Sequence, residues 1–350
     1  MGMNSNDSPT KKARRTRTHP VKAALRHDVV TAFTKSTGLL ARLPGESRPR
    51  LRDRESAIAD FFATALIVLV LCHAPIVSAS SPPDETVLIP AGEFFMGSPE
   101  DGSSFDDERP QRKVFVGSFR LHRHEVTNAR YKRFTDETGH RTPSHEKPAL
   151  TLWLNGEPFP GSEHHPVVNV SWDDALAYCR WLGMRLPTEA EWEKAARGTD
   201  GRRYPWGNEW DPHLANSASY WADRTIEFKD GGEWKAFWMT GDGARIARER
   251  GLNGEVLTLP VGSFPEGASP YGLLDMAGNV SEWVQDWYEP YSYLQAPLSD
   301  PPGPDGRLLK VVRGGSWLKP ARNLRTSDRD YGSPTDRATG IGFRCAQDVW

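Results

Sequence analysis

Glycine and proline punctuate this chain so densely, at 31 and 28 of 350 residues, that long regular elements have little room. Each internal Gly loosens a helix or strand, and each Pro removes a backbone donor, so short elements joined by many turns are what such a sequence can build. Thirteen Trp offer the buried area that short elements lack. The composition therefore points to a loop-rich α+β domain around aromatic anchors. Long amphipathic helices would need a different composition.

The formal net charge of -2 favours neither nucleic acid nor an acidic membrane as a partner, but it averages unlike parts. Thirteen Lys and Arg lie between Lys11 and Arg54, which leaves the remainder acidic. Residues 1–60 are polar and basic, cannot bury enough surface to fold alone, and are expected to be a disordered tail. For that segment alone, a nucleic-acid-binding arm is the secondary reading. FFATALIVLVLC (61–72) follows; it is short for a membrane span and is interrupted after it by Pro75. With Val77-Ser78-Ala79 as a small-residue cleavage site, 61–79 reads as the apolar and cleavage regions of a secretory signal, so the mature chain is expected to start near Ser80. That implies a periplasmic or secreted protein. The leader before it is unusually long, so either the true start lies downstream of Met1 or residues 61–77 stay as an uncleaved anchor. Leu71 stands where a small residue is wanted, so Cys72 is a poor lipid-attachment site.

Residues 80–350 read as one domain. VLIPAGEFFMGS (87–98) alternates like a strand and breaks at Gly97. Glu125 to Thr138 has helical spacing, with Thr127 as N-cap. SWDDALAYCRWLG (171–183) is the clearest helix, capped by Ser171, carrying Asp173 and Asp174 in its first turn and stopped by Gly183. TEAEWEKAAR follows, with Thr188 and Glu191 forming a capping box. Residues 221–252 are charged and look like an irregular insertion; beyond them, short strands and turns dominate. Cys72, Cys179 and Cys345 are the only cysteines, which excludes a disulfide framework but not a single bridge.

PAGEFFMGS, HEVTNARY, HPVVNVSWDDALAYCRWLGMRLPTEAEWEKAARG, YPWGN, LPVGSFP, YGLLDMAGNVSEWVQDWY, VVRGGSW and IGFRCA occur in this order. Together they resemble the formylglycine-generating enzyme, or sulfatase-modifying factor, family over about 265 residues. The resemblance implies one C-type-lectin-like domain with little regular secondary structure. It also implies a disulfide between Cys179 and Cys345; two buried free thiols are the alternative. Trp172, Trp181, Trp192, Trp206 and Trp283 read as core anchors. Glu189, Glu191 and Glu193 read as capping and internal hydrogen-bonding groups before a catalytic cluster. Arg313, Arg322, Arg325, Arg329, Arg337 and Arg344 suit either an anionic-ligand cleft or bidentate internal pairs. A ligand cleft would be built from Ser316, Trp317, Arg322, Arg325 and Arg329.

DMAGNVSEW (275–283) has the makings of a calcium site: two carboxylates, with Gly278 allowing the turn that aims carbonyls inward. By resemblance the ligands are Asp275, the carbonyls of Gly278 and Val280, and Glu282. A second family site maps to Asn216, the carbonyl of Ser217, Asn253 and the carbonyl of Glu255. Asn253 stands where the enzymes carry Asp, so this site is expected to be weak or empty. For both loops a hydrogen-bonded turn is the alternative.

The family's enzymes oxidise a sulfatase cysteine to formylglycine with Cu(I) held by two thiolates. Here Lys319 and Leu324 occupy the two cysteine positions, and Pro320 stands where the enzymes carry His. Neither side chain is a soft donor, so copper is not expected. Ser316 is retained, but a lone Ser without a nearby His is not a nucleophile. No catalytic residue is thus assigned. His122 with His124, and His164 with His165, are the close histidine pairs; without a third ligand in pattern they read as hydrogen-bonded or solvated.

The leading expectation is an exported, calcium-stabilised member acting as a binding or accessory module for a peptide, glycan or protein. A divergent metal-dependent oxidase, in the manner of relatives in siderophore maturation that lack the cysteine pair, is the second reading. A true formylglycine generator is the third.

Overall fold

The computed structural model describes residues 85–100, 104–145, 147 and 150–349; the segments 1–60 and 61–79 lie outside the described residues. The run 87–98, which alternates like one strand, is two: β1 (Thr86–Ile89) and β2 (Gly92–Met96). Pro90 has no N–H to continue a ladder, and Gly92, at φ +152°, turns the chain between them. β2 pairs antiparallel with β3 (Arg112–Val116), whereas β1 pairs with β4 (Phe119–His122). Gly97 closes this region: a Cβ there would lie 2.5 Å from the Glu108 carbonyl oxygen.

Three helices form where local signals place them. Helix α1 (Asn128–Thr138) starts at Thr127, whose side chain accepts from Arg130 N–H, and ends on left-handed Gly139. Helix α2 (Trp172–Trp181) has a reciprocal Ser171–Asp174 capping box. The short hairpin β5 (Trp153–Leu154) and β6 (Glu157–Pro158) lies between α1 and α2 in sequence. Helix α3 (Glu189–Arg197) repeats the capping arrangement with Thr188 and Glu191. Trp192 and Trp283 are fully buried, while Trp172, Trp181 and Trp206 are half-buried.

Residues 221–252 depart from the expectation of irregular structure. They contain the end of α4 (Ala218–Ala222), then α5 (Gly231–Lys235), a π-helical turn (Ala236–Thr240) and α6 (Asp242–Arg250). Charged residues are frequent there, but Ile226, Phe228, Trp234, Trp238 and Ile246 are buried in the same apolar cluster as Tyr178 and Trp283. A few well-spaced aromatic anchors order a segment whose average composition reads as loop.

The C-terminal third builds the larger sheet from β7 (Ser281–Trp287), β8 (Lys310–Arg313), β9 (Asp330–Gly332) and β10 (Ile341–Gly342), in the order β10-β7-β8-β9. β11 (Ala346–Asp348) returns to β4, so the first and last strands of the described domain share a three-stranded sheet, β1-β4-β11. Cys179 of α2 is bonded to Cys345 just before β11, with Cα atoms 5.6 Å apart across a sequence separation of 166. Among the described residues no helix is long and apolar enough to cross a membrane.

Candidate functional site

The loop after β8 carries the two positions where the resemblance expects cysteines. Gly315, at φ +69°, lets the loop double back so tightly that a Cβ would lie 2.5 Å from the Asn323 carbonyl oxygen. Lys319 is turned inward: its Nζ donates to Asp330 Oδ2 at 2.8 Å, and only 5% of the residue is exposed. Leu324 is fully buried and packs with Tyr204, Ala215 and Ala277, against which Trp206 and Trp210 lie. Ser316 is also buried, its Oγ accepting from Leu318 N–H at 3.4 Å.

The helical segment 221–252 is bonded directly to this loop. The indole N–H groups of Trp234 and Trp238 both donate to the Leu318 carbonyl at 3.1 Å. Ala321 N–H donates to the Ile226 carbonyl at 3.4 Å, and Arg322 N–H to Glu227 Oε1 at 3.0 Å. Trp238 also meets Trp317 edge-on, with ring centroids 5.2 Å apart.

Arg313, Arg325, Arg329 and Arg337 face internal carboxylates, which is one of the two readings the arginines left open beside a ligand cleft at Ser316, Trp317, Arg322, Arg325 and Arg329. Arg325 grips Glu108 through two hydrogen bonds of 2.6 and 2.8 Å. Arg329 grips Glu189 in the same forked way, at 2.7 and 2.9 Å, and lies over the Tyr293 ring. Arg313 bonds Glu193 at 2.6 Å and three carbonyls of 326–328. Arg337 lies 3.7 Å from Asp174. Arg325, Arg329, Ser316 and Trp317 are buried; of the five, Arg322 alone is part-exposed, facing Glu227 at 3.5 Å. A guanidinium fork matches a carboxylate in planarity and charge, so internal carboxylates take the place of a ligand. Glu189 and Glu193 are those partners, and Glu191 caps α3 and pairs with Arg185 at 2.7 Å.

At DMAGNVSEW the backbone takes left-handed conformations at Asp275 (φ +57°), Gly278 (φ +85°) and Asn279 (φ +56°). Asp275 Oδ2 accepts from Gly262 N–H at 2.6 Å. Glu282 is held by Arg344 through two hydrogen bonds of 2.8 Å and by Trp192 Nε1 at 2.9 Å. Glu125, which motif reading passed over although it stands in HEVTNARY, is fully buried beside them. Its oxygens accept from Asn279 Nδ2 at 2.8 Å and Val280 N–H at 3.1 Å. Burial pushes the Asp275 carboxyl up to about 6 against its Gly262 and Arg344 contacts, with Glu282 adding to the rise. Burial and the charges of Asp275 and Glu282 likewise push Glu125 well above the usual carboxylate range. Three buried carboxylates thus share the single guanidinium of Arg344 in this cluster.

The second expected calcium loop has its side-chain oxygens turned to internal donors. Asn216 Oδ1 accepts from Trp221 Nε1 at 2.6 Å. Asn253 Oδ1 accepts from the N–H groups of Glu255 and Val256 at 3.2 and 3.1 Å, which fills both of its lone pairs. Ser217 caps α4. Asn216 and Asn253 thus close turns through these contacts, and Ser217 starts a helix.

His124 is pushed down to about 4 by burial and by Arg344, Arg130 and Arg123, surroundings that also repel a metal cation. His165 bonds Thr258 at 3.1 Å. Among the described residues no three His, Cys, Asp or Glu side chains are grouped as a metal centre of that kind needs. The DMAGNVSEW set is of another composition, two carboxylates and two carbonyls.

The family model for the sulfatase-modifying factor enzyme 1-like domain matches residues 74–349. The chain belongs to that family. Within the sulfatase-modifying factor family it is 35% identical over 302 residues to a formylglycine-generating enzyme of Streptomyces coelicolor, covering 75% of this chain and 89% of that protein. It is 33% identical over 300 residues to the inactive C-alpha-formylglycine-generating enzyme 2 of Bos taurus, covering 74% and 87%. The structure of PvdO from Pseudomonas aeruginosa superposes with a TM-score of 0.58 at 28% identity, covering 75% of this chain and 94% of that one. These matches make the fold that of the formylglycine-generating enzymes, mixed α+β.

Proposed function

We propose that this sulfatase-modifying factor family domain is an exported, calcium-stabilised module that binds a peptide, glycan or protein partner without copper–thiolate chemistry. The observation that carries the copper-free part of this reading is the largely buried Lys319–Asp330 ion pair where the resemblance expects the first cysteine. An ammonium there repels a copper ion, and Leu324 at the second position offers no donor. Trp234 and Trp238, bonded to Leu318, pack over the same loop. The likeness to a relative named as inactive agrees with this reading.

Calcium fits the donor chemistry of the DMAGNVSEW loop. Asp275 and Glu282 bring two carboxylates to the loop, and a cation bound there would compete with the protons that burial favours on Asp275 and the neighbouring Glu125. Asp275, one oxygen of Glu282 and the carbonyls of Gly278 and Val280 would hold it. The ion would act on stability, by neutralising the cluster.

The second reading is a divergent metal-dependent oxidase, favoured by the likeness to the formylglycine-generating enzymes themselves. Elemental analysis of protein purified in calcium separates the two. Calcium alone is the expected result, and stoichiometric copper or iron would replace the binding reading with the oxidase one.

A further inference from the structure

A polar cavity of about 360 Å³ opens between α4 and α6, away from the Lys319 loop. One wall is a single face of α6: Asp242, Arg245, Ile246 and Arg250, spaced i, i+3, i+4 and i+8, run along it for about 12 Å. The other wall comes from His213 and from α4 with its C-cap, where Tyr220, Trp221 and Asp223 reach the cavity.

We propose that this cavity binds a neutral saccharide. Its volume lies in the range that takes a small ligand, about 300–1,000 Å³, but its lining is polar where sites for apolar ligands are mostly apolar. A strongly charged ligand is disfavoured because the cavity's own charges cancel. Asp242 faces Arg224 at 3.3 Å and Arg245 at 3.8 Å, and Asp223 faces His213 at 3.8 Å. Arg245 also holds Glu249 at 2.9 Å, but the Asp223 and Asp242 side chains are more than half exposed, so their remaining lone pairs face hydroxyls. A sugar hydroxyl donates and accepts at once, and a lining that holds two carboxylate acceptors, Asp223 and Asp242, and two guanidinium donors, Arg245 and Arg250, satisfies both roles without neutralising a charge.

The aromatic wall suits the C–H face of a sugar ring and is rigid. Trp221 is pinned through its Nε1 to Asn216 Oδ1 at 2.6 Å. Tyr220 is held edge-on against Trp221 and Phe264, at centroid distances of 5.2 and 5.1 Å. Two fixed rings present apolar area at little cost in conformational entropy.

The test titrates the whole purified protein with maltose, lactose, cellobiose and N,N′-diacetylchitobiose by calorimetry, with saturation-transfer NMR as a second readout. Triglycine serves as the zwitterionic comparison. At least one sugar is expected to bind saturably, and Asp242→Asn and Arg250→Ala should each weaken it about tenfold or more. Both positions are exposed, so the melting temperature should stay unchanged. Absence of binding by every sugar, binding that survives both substitutions, or binding of triglycine in place of the sugars would overturn the assignment. This result is independent of the elemental analysis above, since the cavity shares no residue with the Lys319 loop.

Discussion

Lys319 Nζ donates to Asp330 Oδ2 at 2.8 Å across the closed end of the loop that follows β8. The pair puts a cation and its counter-charge at the position where the resemblance expects a cysteine. Removing Lys319 would leave a largely buried carboxylate short of a partner. Lys319→Met should therefore destabilise the domain by roughly 3 kcal/mol, and adding Asp330→Asn should recover part of the loss. Urea unfolding of the two variants measures this; equal stability of Lys319→Met and the natural chain would remove the pair from the account.

The same geometry predicts silence in an oxidation assay. Given copper, a reductant and a sulfatase-type cysteine peptide, the protein should yield no formylglycine by mass spectrometry. Lys319→Cys with Leu324→Cys should restore tight Cu(I) binding, because capture needs both thiolates. Turnover should remain absent, since Pro320 stands where the resemblance expects His and Trp234 and Trp238 still pack over the loop. Formylglycine from the natural chain would overturn the non-oxidase reading.

Calcium should raise the melting temperature by mass action, by about 2.7 kcal/mol of stability when free calcium is a hundredfold above Kd. Asp275→Ala should abolish that gain. Glu282→Ala should also lower the baseline, because it strands Arg344. Asn216→Ala should cost stability through its lost contacts to Trp221 and Leu257 while leaving the calcium response intact. A melting curve indifferent to both EDTA and calcium would count against the site.

The Cys179–Cys345 bond closes a loop of 166 residues. Cys179→Ala should lower stability by about 3–5 kcal/mol in the chain-entropy account. Unreduced peptide mapping checks the bond itself: the two cysteines should appear as one linked peptide, and both alkylated without reduction would contradict it.

Asp286 sets a pH dependence. Burial pushes its carboxyl up to about 7, and Glu189 and Glu191 push the same way against the Glu189 N–H and Arg329. Lys310, itself pushed down to about 8 by burial, is the other charge facing it. Its folded pKa thus exceeds the unfolded value of about 3.9. The stability it contributes is complete below pH ~4 and is lost as pH rises through about 7. Asp286→Asn keeps an acceptor for Glu189 N–H and should flatten that decline, by on the order of 2 kcal/mol. Unfolding curves from pH 4.5 to about 7.5 for both proteins provide the comparison, and parallel slopes would refute it.

Local signals were legible in the sequence wherever the partners lie within a turn of each other. Ser171 with Asp174, and Thr188 with Glu191, are three residues apart, so their capping boxes follow from spacing alone. The ordered string of motifs carried the family and, through it, the pairing of Cys179 with Cys345. The strand 87–98 was half legible: its alternation is real, but Pro90 sends the two halves to different sheets.

What only the tertiary structure decided is where charge is neutralised. Arg325 meets Glu108 from 217 residues away and Arg329 meets Glu189 from 140, and no local spacing encodes such pairings. In the sequence, a guanidinium bound for a buried carboxylate looks the same as one bound for a ligand. The segment 221–252 was hidden for the same reason: its charges lie along the chain in plain view, while Trp234 and Trp238 bond a Leu318 carbonyl 84 and 80 positions away. Helix caps are set by neighbours in sequence, whereas desolvation is set by neighbours in space, and it is burial beside Glu108 and Glu189 that commits Arg325 and Arg329 to internal pairs.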